Sequence, residues 1–101
     1  RDGWCAVRDR ETRSGFGLAF DRELFSTVWL FQSYGGWRGL HTAILEPCTT
    51  YPFDLAVAAE SGRVARLEAG AVVETETTAV IFTGKGSVSR ITLEGAVSEE
   101  D

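Results

Sequence analysis

The chain contains no methionine, a single histidine (His41), two cysteines and two prolines in 101 residues. One histidine and two widely separated cysteines, Cys5 and Cys48, supply no metal-ligand spacing, so no metal centre is expected. Basic residues are the minority, ten Lys and Arg against fifteen Asp and Glu, which leaves a net charge of −5 and a pI near 4.8. Phosphate recognition needs a basic footprint, so nucleic acid is not an expected partner. No apolar run approaches the roughly 20 residues of a membrane-spanning helix, so no membrane contact is expected. No basic region followed by an apolar core opens the chain, so no signal peptide is expected either. There is no nucleophilic triad, and the glycines at 84 and 86 lack the helix that a phosphate-cradling loop feeds. No motif calls for a cofactor. The two thiols read as free and buried in a cytoplasmic protein; a disulfide between them is the open alternative.

What is present is ordinary globular material, 44% hydrophobic and 25% charged, enough for one small domain and not two. Strand signals dominate. Residues 4–9 form a short apolar run, and residues 16–21 alternate large and small side chains, with Phe16, Leu18 and Phe20 on one face. Residues 25–32 are β-branched and aromatic on both faces, as in an interior strand. Residues 38–48, 64–67, 71–83 and 87–93 complete the strand readings, with turns at Gly62, Gly70 and the hairpin-like 84–86. Residues 53–60 predict one short helix, capped by Thr49 or Thr50. Trp4 and Trp29 read as core, Glu74 and Glu76 as a wet strand face, and residues 98–101 as a solvated acidic tail. The expected fold is all-β, an antiparallel β-sandwich with that one helix. Its short length and its start at Arg1 without a methionine lead us to expect residues 1–101 to be a single but incomplete segment of a larger domain.

The chemistry concentrates in residues 28–52, VWLFQSYGGWRGLHTAILEPCTTYP, with two tryptophans, the histidine, both prolines and Glu46 directly before Pro47. Pro47 is expected to hold Glu46 extended and to stop ordinary sheet pairing there. Period-two alternation puts Leu40, Thr42, Ile44, Glu46 and Cys48 on one face, and His41 on the other. Glu46 is therefore a candidate working carboxylate that does not share a face with His41. The competing reading is a strand-end acid hydrogen-bonded to backbone. Tyr34 and Trp37 flank the Gly35-Gly36 turn, where loop aromatics usually cover a core edge.

The order of these features resembles a known family. Gly15 with residues 16–21, Trp29, the Gly35-Gly36 loop, Leu45-Glu46-Pro47-Cys48-Thr49, Leu55, Ala58, Gly62, Leu67 and Gly70 together resemble the C-terminal part of the galactose mutarotase-like (aldose 1-epimerase) superfamily. The resemblance implies a large antiparallel β supersandwich of which this chain is the last portion. It implies a sugar ligand, Glu46 as the general base, Tyr34 and Trp37 stacking on the apolar face of the sugar, and a histidine acid supplied by an upstream portion. The expected activity is interconversion of sugar anomers by acid/base ring opening. The alternative is a non-catalytic β-sandwich module that binds carbohydrate or a partner chain. The expected partners are a sugar and either the N-terminal portion or a second copy of the chain, because exposed strand edges and apolar faces need covering.

Overall fold

The computed structural model describes residues 2–100; Arg1 and Asp101, the ends of two of the stretches read above, lie outside them. Seven strands and one short helix follow in the order β1 (Asp2–Arg8), β2 (Ser14–Asp21), β3 (Thr27–Tyr34), β4 (His41–Cys48), α1 (Leu55–Glu60), β5 (Thr77–Thr83), β6 (Ser87–Ile91) and β7 (Val97–Glu100). All pairings are antiparallel. They build a three-stranded sheet β1-β2-β5 and two hairpins, β3-β4 and β6-β7. The all-β reading with one helix therefore holds at the level of antiparallel sheets.

The three-stranded sheet is organised around the small residues of β2. Gly17 faces Ile91 of β6 so closely that a Cβ would come within 2.3 Å of the Ile91 Cδ1. Gly15 lies under the ring of Phe82, its register partner on β5. The face made of Gly15, Gly17 and Ala19 thus accepts β6, and Ile91 is the largest fully buried side chain. Polar links hold the same contact: the Thr78 hydroxyl donates to Leu93 O at 2.6 Å, and Leu93 N donates to the Asp2 carboxylate at 3.3 Å. Arg8 donates to the carbonyls of Gly86 and Gly84 and pairs with Glu99 at 3.8 Å. The opposite face of β2 carries the large residues. It closes only at Phe20, 3% exposed, where Phe25 meets it edge-on at 6.3 Å. At the other end Phe16 stays 40% exposed.

Several local expectations change. Residues 63–68 are not a strand, and of 71–83 only Thr77–Thr83 pairs; no strand lies beside the polar 74–76 segment to satisfy its backbone. The 84–86 turn links two different sheets, since β5 and β6 do not pair. The acidic 97–100 segment is a strand, because Arg8 offsets Glu99 and Gly84 leaves room for the Glu99 carboxylate. The helix cap is Asp54, whose carboxylate accepts from Ala56 N and Val57 N, and neither Thr49 nor Thr50 takes that part. Trp4 and Trp29 are half-buried and do not belong to the core, which comprises Ala19, Phe20, Ala58 and Ile91 among the described residues. With so small a core the chain is extended: its radius of gyration is 16.1 Å, against about 13 Å for a compact domain of this length.

Candidate functional site

The β3-β4 hairpin carries every candidate residue. Its turn is built for tight reversal: Gly35, Arg38 and Gly39 all have positive φ, Gly35 N donates to Leu40 O at 2.7 Å, and Leu40 N donates to Trp37 O at 3.0 Å. The register that follows sets Trp29 opposite Glu46, Phe31 opposite Ile44 and Ser33 opposite Thr42. Directly opposed residues in an antiparallel pair share a face. Glu46 therefore stands beside an indole, in a row that continues with Phe31 and Ile44. Trp29 is stacked on Phe53 at 5.6 Å with 30° between the rings, so the segment leading into α1 fixes the indole.

Glu46 itself is exposed, and among the described residues no hydrogen bond or ion pair engages its carboxylate. Its backbone carbonyl accepts from the Cys48 thiol at 3.1 Å. The competing reading of a backbone-bonded strand-end acid is not the arrangement found. Pro47 does not stop the pairing: it lies on β4 opposite Val28 and the ladder runs on to Thr27 and Cys48, because β4 is an edge strand where the missing N–H breaks no further pairing.

Tyr34 and Trp37 lie elsewhere. Tyr34 pairs with His41 at the turn end, on the face opposite to Glu46. Five strand positions separate that pair from Trp29 and Glu46, about 17 Å at the rise of a strand. Trp37 projects from the turn with the Arg38 guanidinium 5.2 Å from its ring centre. Glu46, Tyr34 and Trp37 are thus not gathered in one site. The aromatic beside Glu46 is Trp29, assigned to core from the sequence alone. The signal was available: folding the chain about Trp37 and Arg38 sets residue 29 against residue 46.

Tyr34 and His41 instead border a cleft of about 630 Å³ between the hairpin and the open face of the three-stranded sheet, with Val7, Phe16, Ala43 and Ile81. A second cleft, of about 290 Å³, lies between Trp4, Phe20, Arg22 and Phe25. Glu46 and Trp37 line neither. Arg8 and Asp9 stand at the rim of the larger cleft. The Asp9 carboxylate accepts from Thr12 N at 3.0 Å and Glu11 N at 2.7 Å, and these bonds hold its pKa below the ordinary 3.8. Both cysteines are free thiols, but each is half-buried rather than buried as expected. Burial pushes the Cys5 thiol pKa up, so it stays protonated at neutral pH. Among the described residues, no helix is long and apolar enough to cross a membrane.

Comparison with known proteins returns no matching family model, no matching curated protein and no matching solved structure.

Proposed function

We propose that this chain is the C-terminal β-sandwich portion of an aldose 1-epimerase-like protein of the galactose mutarotase type, acting on a sugar. The observation that supports the reading is the free Glu46 carboxylate standing opposite Trp29 on one face of the hairpin. A pyranose offers an apolar face that stacks on an aromatic ring and hydroxyls that reach a neighbouring acid. Glu46 takes the proton from the anomeric hydroxyl while an acid protonates the ring oxygen; the C1–O5 bond breaks and the open-chain aldehyde forms. Rotation about C1–C2 and the reverse proton transfers close the ring on the other face. The acid is a histidine of the N-terminal portion, the partner this reading requires. Tyr34, on the opposite face of the hairpin, and Trp37, in its turn, take no part at the Glu46 site in this reading. The setting is cytoplasmic, with Cys5 and Cys48 kept reduced.

The test is anomer exchange followed by NMR in the full-length protein. Glu46→Gln lowers the exchange rate by about 10²–10⁴-fold, the range of one acid/base group. Unchanged exchange removes Glu46 from the chemistry.

The larger cleft favours a second reading, a non-catalytic module that holds carbohydrate between Tyr34, His41 and the open sheet face. In that case Tyr34→Ala abolishes saccharide binding, and no anomer exchange accompanies the wild-type protein.

A further inference from the structure

We propose that β3 is a self-association edge, through which two copies of this chain pair antiparallel about a two-fold axis to form a continuous four-stranded sheet, β4-β3-β3-β4. The inference is independent of the sugar reading.

Two observations carry it. The first is the edge itself. The strand Thr27–Tyr34, TVWLFQSY, contains no charged residue and no proline, and it pairs only with β4. Edges are normally blunted by charge, proline or a bulge, and this one has none of them, whereas the other edge of the hairpin carries Pro47, Glu46 and His41. The chain is acidic, with net charge −5, so a surface on which two copies meet must be free of like charges. β3 meets that condition.

The second is the marginal standing of the hairpin. Two strands alone are barely stable in water, and a third strand or a packed face is needed. The β6-β7 hairpin has its cover, the Gly17 face of β2. The β3-β4 hairpin has Phe53 against Trp29 and a slight contact of β4 with β1, and its apolar side chains stay open, with Leu30 54% and Phe31 52% exposed. The β5 edge is also uncharged, but it belongs to a sheet that already has three strands and a cover, and Glu74 and Glu76 precede it.

A two-fold axis normal to a sheet keeps each face on its own side, so one residue must oppose its own copy. Centring on Leu30 sets Leu30 against Leu30 and Trp29 against the Phe31 of the second copy, an aromatic cross-strand pair of the stabilising kind. This register makes a charge test possible. Sedimentation of the wild-type chain up to about 100 µM, above the micromolar dissociation constant that a standard interface reaches, is expected to give a dimer. Leu30→Lys and Leu30→Glu each place like charges directly opposite and weaken the dimer by about 10-fold or more, while an equimolar mixture of the two variants restores it. Ile81→Lys, on the β5 edge, leaves the dimer intact. A monomeric wild type overturns the proposal. So does a dimer that Ile81→Lys dissociates and Leu30→Lys does not, or a mixture of the Lys and Glu variants that remains as weak as either alone.

Discussion

Two halves of this chain use strands of different composition and reach different ends. In β2 the alternation of glycine and alanine with phenylalanine and leucine lets β6 lie directly on the sheet, and Ile91 is sealed in the contact. In β3 the alternation is of large residues on both faces, with no small row for another element to enter. A large residue buries more area once covered, but a small one decides how near the cover can come. The packed half therefore owes its order to residues with little or no side chain. The β3-β4 hairpin keeps its aromatics and Glu46 exposed, available to a ligand or a second strand.

The largest predicted effect lies in the packed half. Ile91→Ala leaves a cavity against β2 and costs about 2–5 kcal/mol; urea denaturation measures it. Gly17→Val acts through the same contact, because its Cβ alone meets Ile91 within 2.3 Å. If either is tolerated within 0.5 kcal/mol, roughly the range of neutral surface changes, the packed half is not centred where we place it. In the open half, Phe53→Ala removes the ring stacked on Trp29 and costs less, about 0.5–1.5 kcal/mol beyond lost area. Near-ultraviolet circular dichroism at the tryptophan bands reports that change directly.

Smaller still is the effect at Asp9, in the β1-β2 turn. Its folded pKa is depressed by the bonds from Thr12 N and Glu11 N, so at mildly acid pH the unfolded chain binds the extra proton. The stabilisation is present above the ordinary carboxyl pKa and is lost as pH falls through the folded one. Wild type and Asp9→Ala should therefore differ at neutral pH and converge below about pH 3. Least of all is Glu46→Gln, which leaves thermal stability unchanged because the carboxylate is exposed and unpaired; a shift of several degrees would make Glu46 a structural acid.

The contrast between the halves was partly legible in the sequence. The strands at β1 to β4 and β6 are marked by β-branched and aromatic runs and glycine turns, and the helix at Leu55–Glu60 by its alanines. The periodicity also separated Glu46 from His41 correctly. Other features depended on distant partners. The β7 segment reads as a tail because nothing local shows that Arg8 and Gly84 accommodate Glu99. Residues 71–76 read as strand from their valines and threonines, but propensity supplies no partner for the backbone. The alternation in residues 16–21 marks two faces without saying which is covered; β6 lies on the glycine face, where the small residues let it approach closely.

Amide hydrogen exchange along the chain tests the contrast most directly. In dilute solution β2 and β6 should exchange slowly and β3 and β4 rapidly. Raising the chain concentration should protect β3 while leaving β2 as it was. Equal protection of β3 and β2 in dilute solution would show that the hairpin is already packed, and would contradict the division drawn here.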